Sequence, residues 1–121
     1  MDCASVVGDR EKNEEALRFF YRAIELDPQS ASAYGWATSR YFVRKMNGWI
    51  VDNEREFKEA RRLAECAIRF GQDDARALSQ AGSALSFLFF EHENALTLID
   101  SAIAINPKFS QARDALARLE H

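Results

Sequence analysis

The sequence predicts an all-α fold of about six antiparallel helices, arranged as two full hairpins with a half-unit at each end. Three observations predict it. First, the segments EEALRFFYRAIELDP (14–28), KEARRLAECAIRFGQ (58–72) and ENALTLIDSAIAINP (93–107) align without gaps. Each carries Ala, a second residue four later and Ala again seven later: Ala16/Phe20/Ala23, Ala60/Ala64/Ala67 and Ala95/Ile99/Ala102. Second, the apolar residues in these segments recur with the i, i+3, i+4, i+7 spacing of one helix face. Third, Pro28, Gln72 and Pro107 stand at one common offset after the triples, and a residue preceding proline resists the helical region. No stretch reads as a strand.

The elements follow in order. A flexible leader is expected over 1–10 and a first helix over 11–26, where Ala16, Leu17, Phe19, Phe20, Ala23 and Ile24 form the apolar stripe and Asp27-Pro28 the stop. A second helix is expected over 31–46, capped by Ser30 or Ser32. A third, over 54–70, turns Leu63, Ala64, Ala67 and Ile68 inward and Arg61, Arg62, Glu65 and Arg69 outward, with Gly71 as its C-cap. A fourth is expected over 75–90 behind Asp73 or Asp74, a fifth over 92–105 closed by Asn106-Pro107, and a sixth over 109–119 with Ser110 as a capping residue. The chain ends in Leu119-Glu120-His121, which resembles the start of a Leu-Glu-polyhistidine expression tail. Residues 119–121 are therefore set aside as a tag remnant, leaving 11–118 as the repeat domain.

Tyr34, Leu78 and Arg113 sit eleven residues after Ala23, Ala67 and Ala102, so two helix types alternate. Equivalent positions are separated by 44 and then 35 residues for both types. The extra length therefore falls inside the first hairpin, across 42–56, over the stretch RKMNGWIVDNER. Asn47-Gly48 is a turn pair. Trp49 and Ile50 are too apolar to float, because burying each is worth roughly 1.5–3 kcal/mol. Either they fold back on the hairpin tip, against Phe42, Phe57 or Phe89-Phe90, or they form an exposed anchor for a partner or a second copy.

A helix pair of about 34 residues with small residues at these positions and a closing proline resembles the tetratricopeptide repeat. The likeness covers 14 to about 118 and rests on the triples, on Pro28 and Pro107, on Tyr34, Ala37 and Tyr41, and on Leu78, Ala81, Gly82 and Leu85. Thr38 stands where that family has glycine, and Arg113 where it has an aromatic. The resemblance implies an α-α superhelix that binds a protein or peptide along its inner face. Candidate groove residues are then Ser32, Trp36, Ser39 and Phe42 from the second helix, Arg76, Ser79, Gln80, Ser83 and Phe87 from the fourth, and Gln111, Asp114 and Arg118 from the sixth. Members that grip a C-terminal carboxylate use a Lys/Asn clamp where this chain has Gly35 and Ser39, which argues against that ligand. The Gly-Trp insertion and the EARRLA helix are similar to the repeat region behind class III nucleotide cyclase domains of rhizobial-type bacteria. Similar regions follow winged-helix DNA-binding domains.

Composition narrows the remaining classes. The net charge is −3 and the pI about 5.4. That balance argues against a nucleic-acid surface and supplies no polybasic membrane anchor. No apolar run reaches the roughly 18 residues of a spanning helix, and Cys3 and Cys66 read as reduced thiols of a cytoplasmic protein. No catalytic constellation stands out, and no cofactor or metal is implied. His92 lacks a second histidine at helical spacing, Cys66 lacks a histidine base, and Ser79, Ser83 and Ser86 share a helix without a base. Arg40, Arg44 and Lys45 are either a solvated helix C-terminus or the basic lip of a groove. Glu54, Glu56 and Glu59 read as a charged face at a helix start. The leading expectation is a non-enzymatic interaction scaffold from a bacterial cyclase-like signalling protein, possessing an upstream domain or a peptide as partner. The alternative is a purely structural spacer. Phe19 or Phe20, left bare on the first helix, would favour a homodimer.

Overall fold

The computed structural model describes the backbone of residues 3–120 and the side chains of residues 9–120. The described residues form six helices and no strand: α1 (Cys3–Leu26), α2 (Ala31–Met46), α3 (Asn53–Phe70), α4 (Ala75–Phe89), α5 (His92–Ile105) and α6 (Ser110–Glu120). The two proline stops end α1 and α5, and Ser30 and Asp74 are the caps in use, accepting from the N–H groups of Ala33 and Ala77 at 3.2 and 3.0 Å. Two boundaries differ from expectation. The segment expected as a leader is helical from Cys3: it contains no proline, and the single Gly8 costs about 1 kcal/mol without ending α1. Leu119 and Glu120 continue α6, and Ser110 is its first helical residue. The side chain of Cys3, and with it any pairing to Cys66, lies outside the described residues, as does His121.

The helices form two layers. α2 packs on α4 and α4 on α6, while α1, α3 and α5 lie outside them. No Cα of α1 comes within 8 Å of α3, nor any of α3 within 8 Å of α5. Small residues make the inner contacts close: Ala37, Ala60, Ala64, Ala67, Ala81, Ala95 and Ala102 are all fully buried. At Gly82 a Cβ would meet Ile99 Cγ1 at 3.1 Å and the Ala95 carbonyl oxygen at 3.3 Å, so α4 and α5 could not approach this closely around any larger residue. The first triple differs from the other two. Ala16, Phe20 and Ala23 are only half-buried, because α1 packs on α2 alone.

The insertion is held by a buried ion pair. Glu56 is 1% exposed and Arg44 7%. Glu56 Oε1 accepts from Arg44 Nε at 2.8 Å and Nη2 at 2.7 Å. Its Oε2 accepts from the N–H groups of Val51 and Asp52 at 2.8 and 3.1 Å. Arg44 also donates to the Trp49 carbonyl at 3.3 Å, and the Trp49 N–H returns to the Arg44 carbonyl at 2.8 Å. One charge pair thus satisfies the backbone of a segment too irregular to satisfy itself. Gly48 supplies the turn at φ +71°. The expected solvated ends are corrected in part: Arg44 and Glu56 are core groups, whereas Glu54 and Lys45, the latter 5.6 Å from the Phe57 ring centroid, keep the exposed role.

Two outcomes follow. Burial pushes the Glu56 carboxyl upward, but the Val51 and Asp52 N–H groups and Arg44 outweigh it, so its pKa lies below the usual carboxylate value. The unfolded chain takes up this proton first, near pH 4.3, so the pair's stabilisation is complete above that pH and is lost as acid titrates the folded carboxyl. Urea unfolding of Glu56→Gln at pH 7 should show a loss of roughly 3–5 kcal/mol, from a buried unpaired guanidinium, and a flatter acid limb than the parent. Phe90, exposed at the end of α4, holds φ 58°. Phe90→Gly should raise the melting temperature by a few degrees, the left-handed region costing a residue with a Cβ about 1 kcal/mol.

Candidate functional site

The inner layer carries a groove built from three helices that are far apart in sequence. α2 contributes Trp36, Ser39, Arg40 and Phe42, α4 contributes Ser79, Gln80 and Ser83, and α6 contributes Gln111, Asp114 and Arg118. They enclose a cavity of about 290 Å³. A second cavity of about 490 Å³ continues from it, sharing Phe42, Ser83 and Arg118 and adding Met46, Phe87, Ala115 and Leu119. The first half is polar at its floor; the second is mixed, with Ser86 and His92 on its border and an apolar side where Phe42 and Phe87 lie 4.7 Å apart between ring centroids.

Helical period explains the convergence. Trp36, Ser39 and Phe42, like Gln80 and Ser83, are spaced three apart, and Gln111, Asp114 and Arg118 are spaced three and four apart, so each set faces one way from its helix. On the opposite face of the same helices lie Tyr34, Ala37 and Tyr41, and Leu78, Ala81 and Leu85, all buried. Trp36 stacks on Phe20 at 6.0 Å with 10° between planes. Arg76 lies between Trp36 and Phe109, its guanidinium carbon 5.3 and 5.2 Å from the two rings. It also donates to Gln111 Oε1 at 3.4 Å. Arg76 therefore ties α2, α4 and α6 together at the mouth and does not line the polar cavity. Ser32 is exposed and lies outside both cavities.

Arg40 is the one basic residue of the expected lip that enters the groove. It makes no ion pair among the described residues, and its Nε is sealed from solvent without a protein acceptor. Burial holds its pKa below the usual guanidinium value. Two neighbours share its condition: Ser79 Oγ, on a residue 3% exposed, and Gln80 Oε1 are both buried without a protein partner. Gln80 lies across Gly35, where a Cβ would collide with its Oε1. Ser39 is satisfied by donating to the Trp36 carbonyl at 2.7 Å. Asp114 and Arg118 are exposed and make no ion pair among the described residues.

The other residues singled out from sequence have local partners, and of these Ser86 and His92 also line the second cavity. Trp49 and Ile50 are half-buried, and Trp49 is pinned through its backbone to Arg44. The adjoining Val51 is 76% exposed. Ser86, expected to lack a base, bonds His92 Nδ1 at 2.8 Å across the α4–α5 turn. The pair joins the end of one helix to the start of the next, and no third described group orients the imidazole. Cys66 is half-buried against the core. Phe19 stays 67% exposed. Among the described residues no cluster of His, Cys, Asp and Glu is placed to hold a metal, and no helix is long and apolar enough to cross a membrane. No family model and no curated protein matches the chain.

A double-mutant cycle with Trp36→Leu and Arg76→Met should give a coupling of about 0.5–1 kcal/mol in urea unfolding, the size of a partly exposed cation–π contact.

Proposed function

We propose that the chain is a non-catalytic interaction domain of tetratricopeptide type that holds an extended peptide segment of a protein partner in the groove of α2, α4 and α6. The supporting observation is that side chains from three helices, with α3 and α5 intervening in sequence, line two adjoining cavities that share residues and pair a polar floor with an apolar side. Folding alone does not require this face to be open, since the Ala and Gly contacts lie on the other side of the same helices. Rigid helices present the groove side chains with little ordering cost on binding. The resemblance to repeat regions behind cyclase domains supports a setting in a signalling protein, where an occupied groove would alter the geometry of an attached output domain.

Selection from a displayed library of random 12-residue peptides, followed by amide chemical-shift mapping, tests this. Binders should perturb the inner faces of α2, α4 and α6. Ser83→Trp, at the junction of the two cavities, should weaken them at least tenfold while leaving the helical signal intact. No binder at all, or perturbations confined to α1, α3 and α5, would leave a structural spacer as the better description.

A further inference from the structure

The groove floor is costly as built. Arg40 is a half-buried cation with no carboxylate within ion-pair distance among the described residues, although Arg44, one turn further along α2, has a full set of partners. A buried charge left uncompensated destabilises a fold. Ser79 Oγ and Gln80 Oε1, on residues that line the same cavity, are sealed beneath its surface without partners and add to that cost, so an occupant reaches them only by turning those side chains outward. The three groups also differ in kind. Arg40 can only donate, Gln80 Oε1 can only accept, and Ser79 can do either. An inorganic anion would satisfy the donors and leave the acceptor bare. Asp114 lines the same cavity and repels any anion there, a polyanion more strongly than the single carboxylate of a peptide side chain. A peptide offers a carboxylate beside main-chain N–H groups, which matches all three.

The neighbouring cavity fixes a second feature of the occupant. Phe42, Met46, Phe87 and Ala115 give it an apolar side that suits a large apolar side chain, while Ser83, Ser86, His92 and Arg118 form its polar border. Because the two cavities share residues, their occupants must be close in the ligand; an extended chain advances about 3.3–3.6 Å per residue, so one or two positions span the gap.

We propose that the groove selects peptides carrying an aspartate or glutamate whose carboxylate pairs with Arg40, with a large apolar residue one or two positions away in the Phe42–Phe87 cavity. The Ser79 hydroxyl is then free to donate to the same carboxylate, and Gln80 Oε1 to accept a main-chain N–H. Arg118, at the border of both cavities, reinforces the preference for negative charge. This rests on the peptide-groove reading and names its ligand class.

The test uses peptides retained by the wild-type domain from a random 12-residue library that includes phosphoserine. Retained sequences should share Asp or Glu with Leu, Ile, Phe or Met within two positions. Changing that acid to its amide should weaken binding to the wild type at least tenfold, yet alter binding to Arg40→Gln by less than twofold. Free Arg40→Gln should keep its helicity and melt at or above the parent temperature, because a neutral side chain relieves the unpaired charge. Retained peptides indifferent to the acid, an acid preference that survives Arg40→Gln, a stronger preference for phosphoserine than for glutamate, or a markedly lower melting temperature for Arg40→Gln would each overturn the assignment. Retention of no peptide would instead sink the groove reading on which it rests.

Discussion

Close backbone approach along two columns of small side chains is the constraint from which the other features descend. Ala60, Ala64 and Ala67 on α3, and Ala95 and Ala102 on α5, are fully buried because no atom beyond Cβ holds their helices away from the inner layer. Ile99 fills the one position in the last triple where the gap is wide enough for a branched chain, directly over Gly82. With that face committed to packing, helical geometry sends Trp36, Ser39, Gln80, Ser83, Asp114 and Arg118 the other way. The groove is thus the complement of the core pattern. A substitution that enlarges a buried alanine would disturb both, since it would push apart the helices that hold the channel walls in register.

The two arginines on α2 show how one residue type serves opposite ends. Arg44 sits where an irregular segment needs its backbone organised, and it is surrounded: Glu56 on α3, the Trp49 carbonyl in the loop, and Glu14 on α1 at 4.0 Å. Arg40, a turn earlier, is tied to the fold through its backbone, its carbonyl accepting from Asn13 Nδ2 at 3.2 Å. Its side chain is left to the groove. Stability is concentrated at the first and conceded at the second. That division is common where a surface must stay ready for something that arrives later.

Much of this was legible in the sequence, and what was not had identifiable causes. The alanine triples and the two proline stops placed every helix to within a few residues at most ends. The three-residue spacing of groove side chains followed from the same register. The long start of α1 was hidden because Cys3 to Asp9 carries no apolar stripe at helical spacing and includes Gly8, a residue that argues against a helix interior. The Arg44–Glu56 pair was hidden for a different reason. Its members are twelve positions apart, across an insertion whose path has no periodicity, and each taken alone resembles an ordinary charged helix end. Burial of a charge is decided by what another segment brings to it. The same holds for Arg40, whose isolation can be seen only once α4 and α6 are set beside it. His92 and Ser86 were read separately because a turn of unknown shape lay between them.

On the outer side, α1 and α3 never approach closely enough for their backbones to touch, and long side chains join them. Tyr21 donates to Glu59 and lies 3.2 Å from the Tyr41 hydroxyl, while Glu59 is clasped by Arg62. Further along, Arg61 reaches Glu91 before α5. Such struts are jointed and partly hydrated, whereas the inner seam is a stack of backbone-to-alanine contacts with no give. Flexing of the array should therefore hinge about the seam and stretch the struts. Its compliance becomes an electrostatic quantity, softened by dissolved ions that screen the struts and largely indifferent to them at the seam.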